Sequence, residues 1–272
     1  MADARIGTAA GEGQVPPSDM HVRGDSDRPM RPDASLAHAQ SIIRSVVASR
    51  HDRPSLVAQI ACEVGAEIVE AVVPPGHDLN TVELARRYKT SRTPVREALI
   101  LLENEGLVDI APRRRPRVHE HSMAEVSEIY RTRTALFELM ATDLAARATD
   151  RDVALLREIL TRMRKACRLG DIIAFAWLSV EFHDNETRLS GNATAKRIHD
   201  SLLLRTLAMR RISLSHPGRM KESLEDHVRL VDAYEKHDSF MASAILRSNH
   251  TVALSKIQDY RKSTGGLAPL RL

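Results

Sequence analysis

The sequence is poor in aromatic residues and in cysteine, and each shortage excludes a class of protein. Aromatic residues make up 3% of the 272 residues, with a single Trp, so a protein that stacks single-stranded bases on aromatic side chains is not expected. The two cysteines, Cys62 and Cys167, are too far apart for a disulfide framework or a cysteine zinc site. No long apolar run and no secretory signal occurs, so we expect a cytoplasmic protein with no membrane partner.

The composition is otherwise typical of a globular protein with a polar extension at its N-terminus. Hydrophobic residues make up 43% of the chain and charged residues 28%, which is enough to build a sizeable core. Residues 1–33 are rich in Gly, Pro, Asp and Ser, and residues 34–51 have only weak helical spacing. We therefore expect a leader over residues 1–50, disordered or partly helical, and a loose tail over residues 264–272.

Residues 51–120 follow the pattern of three short helices and a basic hairpin. Ser55 is placed to cap the first helix, Thr81 can cap the second, and the third ends at Gly106. Residues 107–119 alternate like two short strands around the basic turn PRRRP. This order predicts a winged helix-turn-helix.

The residues suited to DNA contact stand at the start of the third helix and in the hairpin turn. Arginine can donate two hydrogen bonds to guanine, and serine or threonine hydroxyls suit phosphate oxygens. Residues 86–117 hold nine Lys or Arg against four Asp or Glu, a net charge of +5. The outline alone leaves open whether these arginines are only a solvated face. The candidates are Ser91, Arg92, Thr93, Arg96, Arg114 and Arg115.

Every signal in residues 121–263 is helical. Ser122 and Glu125 form a capping-box pattern that opens a long helix, and later Gly and Asp or Asn pairs separate further helices with short joins. Short joins favour antiparallel neighbours. The predicted fold class is mainly α: a winged helix-turn-helix of three helices and a small β-hairpin, then an antiparallel all-α bundle of six to seven helices.

The segment TVELARRYKTSRTPVREALILLENEGLVDIAPRRRPRV resembles the DNA-binding domain of the GntR family of bacterial transcription regulators. SRTPVREAL and EGLV are its most specific parts, and the likeness covers roughly residues 55–118. The resemblance implies that Arg92, Thr93 and Arg96 are the principal DNA contacts, with Ser91 beside them. The family usually has Arg-Gly where this chain has Arg114-Arg115, so we expect a wing that binds DNA through added charge instead of a flexible tip.

The segments EFHDNETRLSGN, DHVRLVDAYEKHD and SAILRSNHTVAL resemble the FCD-type effector domain of the FadR branch of GntR regulators, over roughly residues 122–260. Histidine spacing alone predicts no metal site here. In the resembling domains three histidines and an Asp or Asn hold a divalent metal, which here implies His183, His227 and His250, with Ser179 at the carboxylate position. Three imidazoles still suit zinc or nickel. The alternative is a metal-free pocket in which the histidines bind the effector directly.

The same resemblance suggests two effector contacts. An alignment through IYRTR places the family's effector-facing arginine at Arg133, whereas an alignment through LAAR places Thr134 there. Arg133 and Ser179 are therefore the candidate effector-binding residues. The other interpretation of Arg133 is an exposed helical arginine.

The resemblance implies a transcription regulator, more often a repressor, that binds a palindromic operator in double-stranded DNA as a homodimer. A small metabolite, often a carboxylic or sugar acid, would control it. The runner-up is a metal-dependent hydrolase or lyase that uses the three histidines, although no general acid or base stands at a recognisable offset. A DNA-bending nucleoid protein is a third class, and the histidines of the bundle argue against it.

Overall fold

The computed structural model of the protein describes residues 29–48 and 55–265, and within them the chain forms ten helices and one two-stranded sheet. This confirms the predicted mainly α class. The disorder predicted for residues 1–28 and for most of the tail lies outside the described residues. The elements are α1 (Pro32–Ala48), α2 (Leu56–Val69), α3 (Thr81–Arg87), α4 (Arg92–Asn104), β1 (Val108–Asp109), β2 (Arg117–Val118), α5 (Met123–Ala145), α6 (Asp150–Leu169), α7 (Ile172–Leu189), α8 (Ala193–Leu214), α9 (Arg219–Glu235) and α10 (Ser239–Thr264).

Elements α2 to β2 form the winged helix, and local capping explains most of their bounds. The Ser55 side chain accepts a hydrogen bond from the Ala58 amide at the start of α2, as predicted. The prediction that Thr81 caps the second helix is wrong, because the Asn80 side chain accepts from the Val82 amide and makes Thr81 the first helical residue. Asparagine is at least as good a cap as threonine. Strands β1 and β2 pair antiparallel.

Helices α5 to α10 form the bundle. The Ser122 hydroxyl caps α5 by accepting from the Glu125 amide. Helix α10 packs along α5 and α9, while α6 lies against α7 and α9. Their shared core has Phe137, Phe175 and Phe182 fully buried. Within the described part of the chain, no helix combines the length and the apolar character needed to cross a membrane.

Helix α1, which the sequence left undecided, packs on α2 of the winged helix and on α7 of the bundle. Ile43 is fully buried there. The Trp177 indole donates to the Ser35 hydroxyl at 2.9 Å, and that hydroxyl donates to the Glu70 carboxylate at 2.7 Å. These partners are distant in sequence, so the spacing within α1 could not predict that the helix would be buried.

Helix α8 joins the winged helix to the bundle. Arg211 on α8 donates to the Glu70 carboxylate and to the Val69 carbonyl at the end of α2, both at 2.7 Å. Leu203 and Leu207 on the same helix belong to the apolar core of the winged helix. Helix α8 is therefore in direct contact with the winged helix and with the interior of the bundle.

Candidate functional site

The start of α4 presents the residues predicted to contact DNA. Ser91, Arg92, Thr93 and Arg96 are all exposed. Ser91 is the N-cap residue, but its side chain makes no capping hydrogen bond. The first turn of the helix thus offers a hydroxyl, backbone N–H groups and guanidinium groups on one exposed face, which is the combination that binds phosphate and base edges.

The hairpin turn extends this basic surface. Arg96 of α4 lines one groove together with Arg113, Arg114 and Arg115 of the turn. Arg113 has a φ of 61°, in the left-handed region, whereas Arg115 does not have a positive φ. The glycine that the resemblance placed at Arg115 is therefore not required by this turn, and the three arginines lie exposed beside the recognition helix.

The three predicted metal ligands come together inside the bundle. His183 on α7, His227 on α9 and His250 on α10 are all buried. The ring centroid of His183 is 5.0 Å from that of His227 and 6.1 Å from that of His250. The partners of the three Nδ1 atoms are the Glu186 carboxylate at 2.7 Å, the Ser223 carbonyl at 2.6 Å and the Thr134 hydroxyl at 3.4 Å.

These rings meet the chemical requirements of metal ligands. Burial lowers the pKa of His227 to about 4 and holds the pKa of His183 and His250 well below the usual range, so the rings are neutral. Metal-ligating histidines are oriented in this way, by a contact at the second ring nitrogen. The Nε2 of His227 is buried and has no hydrogen-bond partner within the described part of the chain. The donor types therefore suit a divalent ion such as zinc or nickel, although the three rings would have to move closer together to hold one.

Ser179 stands where the resembling domains have their fourth metal ligand, and it is neutral and bonded to a cation. Ser179 is buried, and its hydroxyl accepts a hydrogen bond from the Arg210 guanidinium. A cation thus lies beside the position where the family has a carboxylate. Among the described residues that line the adjoining cavity, none is acidic.

This cavity contains an unusual concentration of arginine. Arg133 is buried, and the partners of its guanidinium are the neutral Thr206 hydroxyl at 2.6 Å and His199 at 3.3 Å. Because Arg133 is buried, its interpretation as an exposed helical arginine is wrong. Its Nε has no hydrogen-bond partner among the residues that the structure describes. The described residues that line this small cavity are Tyr130, Arg133, Ser179, His183, Arg210, Ser213, Leu214, Arg219, Ser223, Asn249, His250 and Ala253.

Two arginines of the cavity were missed by sequence reasoning. Arg219 is 2% exposed and donates to the Asn249 carbonyl, while its Nε and Nη1 have no hydrogen-bond partner among the described residues. The charges of Asp226 and Glu222 act on it without a hydrogen bond. Burial, and then the charge of Arg133, lowers the pKa of the partly buried Arg210 to about 10. Arg210 follows Leu203 and Leu207 at the spacing of an apolar stripe, and a charged residue in such a stripe was the available signal.

A buried cation without an anionic partner is expensive, because burial removes the water that solvated its charge. Guanidinium groups bind carboxylates through two parallel hydrogen bonds. Arg133, Arg210 and Arg219 therefore give the cavity a charge that suits an anion, and its volume of about 30 Å³ would have to increase to admit an organic acid.

Two family models match separate parts of the chain. Residues 56–118 match the model described as bacterial regulatory proteins, gntR family, and residues 128–250 match the FCD domain. The first match contains the winged helix and the second contains the three histidines, Arg133 and Ser179.

Similar proteins agree with these matches. The chain is 28% identical over 183 residues to the gluconate operon transcriptional repressor of Bacillus licheniformis, which covers 67% of this chain and 74% of the relative. It is 36% identical over 116 residues to an uncharacterized HTH-type transcriptional regulator of Agrobacterium vitis, which covers 42% of this chain and 68% of the relative. The solved structure of E. coli McbR/YncC is 25% identical, with a TM-score of 0.63, and the alignment covers 78% of this chain and 99% of that one. The chain therefore belongs to the GntR family of bacterial regulatory proteins, as a DNA-binding transcription regulator with an FCD domain.

Proposed function

We propose that the protein is a repressor that binds a palindromic operator through residues 51–120 and senses an anionic metabolite through residues 121–263. Ser91, Arg92, Thr93 and Arg96 would enter the major groove, as the exposed start of α4 permits. Arg114 and Arg115 would contact the flanking backbone. Repression is proposed from the relatives, one of which is named a gluconate operon repressor.

A homodimer is part of this proposal, because one winged helix buries too little surface for tight and specific binding. Exposed apolar side chains occur on α10 and on α5, two helices that pack against each other. Phe240 is 84% exposed, and Leu139 and Met241 are each about half exposed. Two copies that bury these side chains would form a two-fold dimer with two recognition helices for two half-sites. Phe240→Asp should shift the sedimentation of the protein from dimer to monomer, whereas Phe240→Leu should not.

The proposed effector is a small carboxylic or sugar acid. Arg133, Arg210 and Arg219 supply positive charge to the cavity, and Ser179, Ser223 and Asn249 supply neutral hydrogen-bonding groups. The carboxylate of a polyhydroxy acid would bind the arginines, and its hydroxyl groups would bind the neutral side chains. Gluconate is the first probe, because of the name of the Bacillus licheniformis relative.

A divalent metal, when present, would be held by His183, His227 and His250. It would supply a Lewis-acidic position for an acid group of the effector. The fourth ligand of the family's sites is missing at Ser179, so the charge balance would come from the effector instead of the protein.

The effector signal would reach DNA through α8. Arg210 lines the cavity, and the next residue, Arg211, is bonded to Glu70 and Val69 of the winged helix. A ligand that draws Arg210 towards itself would also move Arg211. Such a movement would favour one spacing of the two recognition helices over another.

The observation that supports the proposal best is the cavity in the bundle, which three arginines line and to which no described carboxylate contributes. This lining indicates that the ligand is an anion. The test is binding of a labelled DNA duplex from the region upstream of the gene, with and without gluconate and related acids. We expect the protein to protect a palindromic sequence in this duplex from nuclease cleavage. One of the acids tested should release the protein from the duplex and so remove the protection. Equal binding to that duplex and to a scrambled duplex would contradict the proposal.

A further inference from the structure

A second group of potential metal ligands lies at the junction between the wing and the bundle. Among the described residues, His119, His121 and Glu125 bring three ligand atoms to within 4.8 Å of one another. His119 follows β2 directly, His121 lies in the connecting segment, and Glu125 is in the first turn of α5. The group therefore spans the connection between the two parts of the chain.

The contacts within the group are hydrogen-bond and ion-pair contacts whose lengths are also close to the spacing of ligands around a metal ion. The Nε2 atom of His119 is 3.0 Å from one Glu125 oxygen, and the Nδ1 atom of His121 is 3.0 Å from the other. In a tetrahedral zinc site with bonds of about 2.0–2.1 Å, neighbouring ligand atoms are about 3.3 Å apart. Small adjustments of the side chains would place an ion between these three atoms.

The Nδ1 atom of His121 carries the strongest indication. His121 is 8% exposed, and its Nδ1 is buried. The Glu125 carboxylate lies 3.0 Å from this nitrogen. Both atoms are ligands that zinc accepts, and they lie close enough to bind the same ion.

The surroundings of His119 are those of a metal ligand as well. Its Nδ1 lies 2.8 Å from the Asp109 carboxylate of β1, which turns Nε2 towards Glu125. A carboxylate at the second ring nitrogen is the usual partner of a zinc-bound histidine. The group also remains open to solvent, since the side chains of His119 and Glu125 are 21% and 31% exposed.

The role of Glu125 differs from the one its sequence position predicts. The pattern Ser122 to Glu125 predicts a capping box, in which the Glu125 side chain would accept a hydrogen bond from the Ser122 amide. Ser122 does cap α5, but the Glu125 carboxylate contacts the two histidines. The carboxylate is thus available as a ligand.

We propose that His119, His121 and Glu125 bind a zinc-class divalent ion, with Asp109 orienting His119 and a water completing the coordination. The site is separate from the three histidines inside the bundle. A bound ion links the end of the wing to the first turn of α5. It therefore restrains the orientation of the DNA-binding surface relative to the bundle.

The test is a titration of the chelator-treated, full-length protein with Zn²⁺ in competition with a chromogenic chelator. His121→Ala should remove one tightly bound equivalent. Glu125→Gln, which keeps the size of the side chain and so protects the fold, should weaken the same equivalent about tenfold or more. The matched control is His77→Ala, since His77 is an exposed histidine of the same winged helix and should change nothing.

The variant His183→Ala/His250→Ala separates this ion from any ion in the bundle. The equivalent that His121→Ala removes should persist in it. Unchanged Zn²⁺ stoichiometry and affinity in both His121→Ala and Glu125→Gln would overturn the proposal. Loss of the same equivalent in His183→Ala/His250→Ala would overturn it too, because the ion would then belong to the bundle.

Discussion

Arginine is concentrated in two regions of this protein, and its surroundings differ between them. In the winged helix, Arg92, Arg96 and the arginines of the hairpin turn are exposed, and water solvates their charge. In the bundle, Arg133 and Arg219 are buried, and their hydrogen-bond partners among the described residues are neutral. Arg219 also interacts with the charges of Asp226 and Glu222, whereas Arg133 has no such acidic neighbour among the described residues. The exposed arginines do not destabilise the protein when DNA is absent. The buried arginines lower the free energy of unfolding of the protein when no anion is bound. The same residue type therefore serves a large external polyanion in one region and a small internal anion in the other.

The largest expected effect is on the exposed group. Arg96→Ala should weaken operator binding by about 1–3 kcal/mol, and Arg92→Ala/Arg96→Ala should abolish the footprint. The thermal stability of both variants should stay unchanged, because the side chains are exposed. Fluorescence anisotropy with operator and scrambled duplexes measures the first effect. Arg164→Ala, which removes an exposed arginine of α6, is the control and should bind the operator normally.

The next largest effect is expected when a buried arginine, instead of the exposed pair, is replaced. Arg133→Met should reduce the affinity for the acid effector on the order of 100-fold, because the anion loses a charged, desolvated partner. The ligand-free protein should keep or increase its melting temperature, since a buried cation without an anion is replaced by an apolar side chain of similar length. Thermal denaturation with and without the acid measures both. A lower melting temperature together with an unchanged response to the acid would contradict this account of the cavity.

A smaller effect concerns the connection between the two regions. Arg211→Gln/Glu70→Gln removes a buried ion pair without leaving either charge unpaired. Operator binding and acid binding should both persist, while the change in operator affinity caused by the acid should fall about tenfold. Anisotropy titrations at zero and saturating acid give this coupling directly. A full response in the double variant would show that α8 does not carry the signal through Arg211.

The smallest effect comes from placing a carboxylate among the arginines of the cavity. Ser179→Asp should tighten divalent metal binding about tenfold, because it adds a charged ligand one helical turn before His183. The titration belongs in the His121→Ala background, so that the junction site does not contribute. Ser179→Asn tests whether charge is required. Metal affinity unchanged by either substitution would mean that Ser179 does not face the metal position.

Local sequence signals predicted much of the fold. Ser55, Gly106 and Ser122 act over one helical turn or less, and each stands at a helix terminus as expected. The cap at Thr81 failed by one residue, because Asn80 offered a side chain of equal capping ability. Helix α1 could not be predicted with certainty, since its burial depends on Trp177 and Glu70, which lie far along the chain.

The candidate sites divide in the same way. The resemblance named His183, His227 and His250, and all three meet in the bundle. Arg210 and Arg219 escaped notice because a charged residue in an amphipathic helix is ordinarily exposed, and only the packing of several helices decides otherwise. The group of His119, His121 and Glu125 also escaped notice, because the spacing of Ser122 and Glu125 is equally typical of a cap.

The sequence by itself determined the order of the elements, the basic recognition helix and the identity of the family, because these depend on residues that are close together in the chain. The tertiary structure alone decided which arginines are exposed and which are buried. It also decided that Arg210 and Arg211 face different parts of the protein, and that Glu125 turns to two histidines. The physical reason is that the energy of a charged side chain depends on its burial and on its neighbours, and these are set by helices that are distant in sequence.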